Sequence, residues 1–272
     1  MKLRVACVQL NSGAEIGPNI AAASALIRQA HGAGAQFVAT PEVSNLCEMR
    51  PGRAAKKAFH EADEPALQAY RALAAELGIW LLAGSLVVKL EDDPRFANRS
   101  FLIDSGGAIV ARYDKIHMFD VDLEGGESYR ESSRFRPGDR AVIAASPWGD
   151  IGMTVCYDMR FAYLYRHLAQ AGARILTVPS SFARPTGRAH WHVLLRARAV
   201  ETGCFVLAPA QCGDHEDGRK TYGHSLIVSP WGEILAEAGE EPGVILADLD
   251  LGAVDTARSM VPSLGHDRAY SR

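Results

Sequence analysis

Three stretches of the first half of this chain recur, in order, in the second half. AGAQFVATPE (33–42) rhymes with AGARILTVPS (171–180), ELGIWLLAGS (76–85) with ETGCFVLAPA (201–210), and FLIDSGGAIVA (101–111) with SLIVSPWGEILA (225–236). A repeat this long makes each copy one supersecondary unit that buries its apolar face against its twin. Each copy reads helix–strand–helix–strand–hairpin. The helices carry apolar residues at helical spacing, as in ALQAYRALAAEL (66–77) and HVLLRARAV (192–200). Gly34, Gly78, Gly172 and Gly203 follow them and suit the left-handed position that ends a helix. Each half then gives one sheet with helices on one face, and two such sheets packed together predict an α/β fold, a four-layer αββα sandwich. An open Rossmann sheet fits worse. HGAGAQF (31–37) precedes its strand instead of following it, and neither GxGxxG nor GxxxxGK[ST] occurs.

The rest of the sequence narrows the class. With 48% hydrophobic and 22% charged residues and a formal net charge of -3, the chain has ordinary globular composition and no basic excess for nucleic acid. No apolar run approaches the ~20 residues that span a bilayer, so no membrane partner is expected. MKLRVACVQL reads as a first strand, without the features of a secretory leader. The five cysteines (7, 47, 156, 204 and 212) are scattered and include no CxxC pair, which reads as reduced thiols in a cytoplasm. The expectation is one domain over 1–272, with no cofactor and no metal.

Three reactive side chains stand at strand ends. AQFVAT (35–40) runs into Pro41-Glu42, AIVARY (108–113) into Asp114-Lys115, and IGMTV (151–155) into Cys156, with the helical RFAYLYRHLAQAGA (160–173) shortly after. Ligands of α/β folds gather at the carboxyl ends of strands, so the three positions can converge. A cysteine in a strand-to-helix turn also lies near helix N-terminal amides, which lower its pKa and offer oxyanion donors. Against this, a lone cysteine in an apolar stretch is usually packing, the reading given to Cys7 and Cys204. It is weaker for Cys156, because YDMR follows directly. Glu42 and Lys115, taken singly, read as solvated loop charges.

Taken together, TPEVSN (40–45), RYDKIHMFDVD (112–122) and VCYDMRF (155–161) resemble the glutamate, lysine and cysteine motifs of the carbon–nitrogen hydrolases of the nitrilase superfamily, in order and spacing. The similarity runs essentially from end to end, and that family's αββα fold agrees with the repeat. The resemblance implies that Cys156 is the nucleophile, Glu42 the general base, and Lys115 the proton donor and stabiliser of the tetrahedral intermediate. Attack on an amide carbon would release ammonia and leave a thioester, which water activated by Glu42 hydrolyses. Glu131, in GGESYRES (125–132), is similar to a second family glutamate that shapes the site. Tyr157 would offer its backbone amide to the oxyanion, and Arg160 a cation to a substrate carboxylate. Arg184 and Arg188 are further cations of that kind.

Within the superfamily, GGESYRES, PTGRAHWHVLLRARAVET (185–202) and AQCGDHEDGRKTYGHSLIVSPWG (210–232) look closest to the Nit branch of amidases. The AQCG…H stretch is more similar to the members that cleave deaminated glutathione than to ω-amidases. The implied substrate is a small carboxylate-bearing amide, deaminated glutathione foremost. The ω-amidase substrates α-ketoglutaramate and α-ketosuccinamate, N-carbamoyl amino acids and nitriles are the alternatives. Relatives are commonly homo-oligomers, so a homodimer or larger is expected. Two features depart from the pattern: His192 stands where many relatives have Glu, and the tail MVPSLGHDRAY (260–270) lacks a bulkier apolar residue and paired arginines.

Other readings compete. His117, two residues beyond Lys115, could serve Cys156 as base in a Cys–His hydrolase. A metal site of His190, His192 and His215 is weaker, since HxH within a helix points its side chains apart. A binding module of the same fold would not need Glu42, Lys115 and Cys156 together.

Overall fold

The computed structural model describes residues 2–48, 50, 52–123 and 128–271 of the chain, so Gly125, Gly126 and Glu127 of the GGESYRES stretch lie outside the described residues. Two sheets carry the repeat. The first holds β1 (Lys2–Gln9), β2 (Phe37–Ala39), β3 (Trp80–Lys89), β4 (Phe96–Ile103) and β5 (Ile109–Asp114), with a short strand Phe59–His60 beside β3. The second holds β6 (Val142–Ala144), β7 (Ile151–Met153), β8 (Ile175–Thr177), β9 (Phe205–Ala208), β10 (Leu226–Val228) and β11 (Ile234–Glu237). The C-terminal strand β12 (Gly243–Asp250) returns to the first sheet, antiparallel to β1. The orders are β12-β1-β2-β3-β4-β5 and β6-β7-β8-β9-β10-β11. Position by position the pairings agree: antiparallel, parallel, parallel, antiparallel, antiparallel. The repeat read in the sequence is therefore two copies of one sheet.

Parallel neighbours need crossover helices, and four supply them. In the first half these are α1 (Ile16–Gly32) and α2 (Pro65–Leu77), and in the second α3 (Ala162–Gln170) and α4 (Arg184–Thr202). The glycine stops behave as expected: Gly78 and Gly203 end α2 and α4 at φ 65° and 60°. At the other end of α2, Glu64 accepts from Ala66 N while Pro65 opens the helix. Alternation along β1 shows the layering. Leu3, Val5 and Cys7 pack into one core with both sheets' facing residues, such as Tyr113 and Met153. Ala6 and Val8 point the other way, into a second core with Ile27 of α1 and Tyr70 of α2. The helix expected soon after Cys156 begins later than its apolar spacing suggests. A 3₁₀ turn, Cys156–Arg160, intervenes, and α3 starts only at Ala162.

Gly84, in β3, lies against a strand end from each half. A Cβ there would lie 1.8 Å from the Thr40 carbonyl oxygen and 2.6 Å from Pro179 Cβ. The repeated strand ends, Thr40-Pro41-Glu42 and Val178-Pro179-Ser180, are thus packed side by side, which only a residue without a side chain permits.

Candidate active site

Four strand ends open into one pocket. Glu42 follows β2, Lys115 follows β5, Cys156 follows β7, and Ser181 lies beyond β8; all four line the same cavity. Its empty space, open mouth included, is about 730 Å³. Backbone bonds fix the approach: Cys156 N donates to Pro179 O at 3.0 Å and Lys115 N to Asn98 O at 3.0 Å. Cys156 itself has φ 50°, and Val43, next to Glu42, has φ 50°. For side chains bearing a Cβ this is a strained conformation, and for the β-branched Val43 markedly so. Its presence at two of the converging residues marks a backbone held in place by its surroundings.

The side chains form a closed network. Lys115 Nζ donates to Glu42 Oε1 at 2.9 Å and to both oxygens of Glu131 at 2.8 Å. Asn98 Nδ2 donates to Glu42 Oε1 at 2.8 Å, and Ser181 N to Glu42 Oε2 at 2.7 Å. Glu131 is aimed by Phe119 N, which donates to Oε2 at 2.6 Å. The side chains of Lys115, Glu42 and Glu131 are only 2, 5 and 11% exposed. Burial at this level demands that charges be paired and bonded, and here they are.

Burial alone would raise the Glu42 pKa, but the Lys115 charge and the hydrogen bonds from Lys115 and Asn98 outweigh it and hold the carboxylate below its ordinary value. Burial likewise disfavours the Lys115 ammonium, and the charges of Glu131 and Glu42 reverse that and raise its pKa well above the usual lysine value. The thiol goes against expectation. Instead of being lowered by helix amides, the Cys156 pKa is pushed up, first by burial and then by the nearby Glu42 carboxylate, with Lys115 only partly opposing them. At neutral pH this arrangement holds a protonated thiol beside an ionised carboxylate, the ground state that general-base activation needs.

The structure brings Glu42, Lys115, Cys156, Glu131 and Tyr157 to the pocket wall. Arg160 stands behind that wall. Its guanidinium lies over the rings of Tyr157 and Phe182 and donates to His190 Nδ1, so it buttresses two lining rings. Arg184 pairs with Asp214, and Arg188 is exposed. The cations on the wall are instead Lys115, Arg134 and Arg219. Neither arginine belongs to a strand-end motif. The signal for Arg219 was its place in the AQCG…H stretch, which forms the hairpin Cys212–Asp214/Lys220–Tyr222.

Asp158 was also missed, although it was visible in VCYDMRF. It is wholly buried and accepts from Val155 N, Tyr113 Oη, His117 N and His117 Nδ1. That explains His117, whose other nitrogen meets Tyr163 Oη while its ring stacks on Phe161 at 3.5 Å. The imidazole is a fixed strut away from the pocket lining, so the Cys–His reading loses its base. The three histidines weighed as a metal site are dispersed. His190 meets Arg160, His215 is buried between Ser12 O and Thr221 Oγ1, and His192 shares Glu237 Oε1 with His224.

Comparison with known proteins adds to this geometry. The family model described as carbon-nitrogen hydrolase matches residues 4–259. A deaminated glutathione amidase from Yersinia enterocolitica is 39% identical over 98% of this chain and 93% of its own length. One from Homo sapiens is 41% identical over 97% of this chain and 82% of its own. Among solved structures, the C. elegans NitFhit protein superposes with TM-score 0.91 at 35% identity; the match covers 98% of this chain and 65% of that longer one. An amidase from Nesterenkonia sp. AN1, solved with acrylamide added at its active-site cysteine, has TM-score 0.79 at 25% identity, covering 96% of this chain and 98% of that one.

Proposed function

The chain belongs to the carbon–nitrogen hydrolase family, and from that premise we propose that it is an amidase for small carboxylate-bearing amides, deaminated glutathione foremost, working through a thioester on Cys156. The observation that carries the reading is the convergence of Glu42, Lys115 and Cys156 on one pocket. Glu42 takes the thiol proton as Sγ attacks the amide carbon, and Lys115 faces the developing oxyanion together with the Tyr157 amide. The C–N bond then breaks. The leaving nitrogen takes a proton by way of Lys115, which regains one from Glu42. An unsubstituted amide releases ammonia, and deaminated glutathione, whose amide nitrogen carries a peptide, releases that peptide as an amine. In the second half Glu42 takes a proton from water, the hydroxide attacks the thioester, and the thiolate leaves and is reprotonated.

Deaminated glutathione is preferred because the relatives at 39 and 41% identity carry that name over nearly the whole chain. We read the protein as a single domain. Cytoplasmic residence is supported by five free, buried cysteines, and among the described residues no helix is long and apolar enough to cross a membrane. Exposed Val200, Trp231 and Val261, which share one groove, support a homo-oligomer. The test is a screen of the purified protein over deaminated glutathione, α-ketoglutaramate, α-ketosuccinamate, simple amides, carbamoyl amino acids and nitriles. The readout is substrate consumed together with the carbon product formed, a free acid from the amides and nitriles and a free amino acid from the carbamoyl compounds. The highest kcat/KM is expected on deaminated glutathione; preference for the nitrile or the carbamoyl compound would overturn the reading.

A further inference from the structure

The pocket has two electrically different ends. Around Cys156 stand two carboxylates, Glu42 and Glu131, against one ammonium, Lys115, so that end carries an excess of one negative charge. A second group on the wall consists of Arg134, Arg219 and Glu48. The Glu48 carboxylate is already taken, since both its oxygens accept from Arg50, at 2.7 and 2.5 Å. Asp217 lies 3.8 Å from Arg219 Nη2. With Arg50 and Asp217 included, this end carries an excess of one positive charge.

Arg219 is held from behind. Its Nη2 donates to Cys47 Sγ at 3.0 Å, and its carbonyl accepts from His215 N at 2.8 Å. His215 is in turn fixed between Ser12 O and Thr221 Oγ1. These bonds pin the hairpin that brings Arg219 to the cavity wall. Arg219 Nε is buried and has no hydrogen-bond partner in the protein. A buried N–H donor on a cation left in this way is costly unless an acceptor meets it. Arg134 follows the 3₁₀ turn Glu131–Ser133, its Nη2 on Glu48 O and its guanidinium over the Phe135 ring. Burial and then the Arg219 charge lower the Arg134 pKa, so the two cations repel each other across the pocket. Two arginines on one cavity wall make a donor pair for a planar anion.

We propose that Arg134 and Arg219 form the subsite that binds the substrate's carboxylate, and that the pocket's two charged ends orient the substrate. A carboxylate at the Glu42–Glu131 end would meet net negative charge, whereas at the arginine end it meets net positive charge. The amide is thereby delivered to Cys156. This deepens the amidase reading and rests on it. It also moves the anion-binding role from Arg160, Arg184 and Arg188 to two residues outside the motifs. The carboxylate has two chemical sources, the keto-acid end of the acyl group or the far carboxylate of a peptide leaving group. α-Ketoglutaramate carries only the first, and deaminated glutathione carries both.

The test compares wild type with Arg219→Gln, Arg219→Lys and Arg134→Gln, on α-ketoglutaramate and deaminated glutathione and on the methyl esters of each. A charge-assisted contact of this kind makes wild type prefer acid over ester by about 10- to 150-fold in kcat/KM. In Arg219→Gln that preference is expected to fall to within about threefold, mainly through KM, with partial retention in Arg219→Lys, which keeps charge but not the planar fork. A preference lost on deaminated glutathione but kept on α-ketoglutaramate assigns the subsite to the leaving-group carboxylate, and loss on both assigns it to the acyl end. An acid-to-ester ratio unchanged in Arg219→Gln and Arg134→Gln overturns the subsite. If Arg219→Gln does not fold, Arg219→Lys and Arg134→Gln read the same ratio. A wild type that hydrolyses none of these amides overturns the amidase reading instead, before any variant is made.

Discussion

Lys115 Nζ and Glu42 Oε1 lie 2.9 Å apart with almost no solvent reaching either side chain. Because Lys115 also holds both oxygens of Glu131, it is one cation serving two buried carboxylates. Pulling charges out of water costs several kcal/mol per ion, which only good geometry and further hydrogen bonds offset. Such an arrangement is weak evidence for stability and stronger evidence for a site that needs its charges where they are.

Glu42→Gln and Lys115→Ala should each lower kcat by several orders of magnitude, and the double variant should lose far less than the product of the two. In the proposed mechanism Glu42 takes a proton while Lys115 gives one, in the same turnover, and groups that act as a unit are strongly non-additive. Single-turnover rates on purified variants measure this. Losses that multiply would mean two independent roles and no shared site.

Lys115→Ala should also make stability depend on pH in a way wild type does not. In wild type the Glu42 pKa is held down, so the carboxylate contributes stability above the ordinary glutamate value of about 4.3. Without Lys115, burial dominates and the folded-state pKa rises above the unfolded one. The favourable state is then the protonated one, whose contribution is complete at low pH and lost as pH rises. The variant's deficit, roughly 3–5 kcal/mol when a buried partner is stranded, should be larger at pH 8 than at pH 5. Urea midpoints at the two values decide it, and a deficit independent of pH would show that the loss is packing alone.

Much of this was legible in the sequence, and particular residues show why the rest was not. The repeat is a property of long segments, so the two matching sheets followed from it. Glu42, Lys115 and Cys156 sit one to three residues past short aliphatic strands, a pattern that survives in one dimension. Asn98 and Ser181 do not: each acts through a bond to Glu42 from 56 and 139 residues away, and neither residue type is distinctive in its stretch. The arginines are hard to place from sequence for a related reason. Arg160 is close to Cys156 in sequence yet turns behind the Tyr157 ring, while Arg219 comes to the pocket on a hairpin from far along the chain. The thiol's pKa was misjudged because a strand-to-helix turn suggests amide stabilisation, whereas burial beside Glu42 decides.

Among the five cysteines, all buried, Cys156 is the one on the pocket wall. Iodoacetamide should therefore label Cys156 first, and substrate should protect it. With the thiol's pKa raised, labelling needs Glu42 to take the proton, so Glu42→Gln should slow it at pH 7. Peptide mapping by mass spectrometry reads both. Equal labelling of Cys47 or Cys212, or a rate unaffected by Glu42→Gln, would count against a base–thiol pair. Cys156→Ala should be folded and inactive, and more than trace activity would end the thioester mechanism.

The pH dependence of wild-type turnover follows from the same two shifts. In the proposed mechanism activity needs Glu42 ionised and Lys115 protonated while the thiol keeps its proton until Glu42 removes it. Glu42 lies below its ordinary value, so the acid limb of kcat/KM should fall below about pH 4.3, where a free glutamate titrates. Lys115 and Cys156 are both raised, so no alkaline limb should appear near about 8.5, where an unperturbed cysteine ionises. The expected profile is a plateau with no inflection from about pH 5.5, roughly one unit above the ordinary glutamate value, to about pH 9, beyond the ordinary cysteine value. A thiolate–imidazolium pair would instead give a bell whose limbs belong to His and Cys. A profile with a limb near about pH 6.5, the ordinary histidine value, that persists in His117→Gln would point to a base other than Glu42. Rates measured with a substrate that does not itself titrate in this range, such as a simple aliphatic amide, keep the limbs assignable to the enzyme.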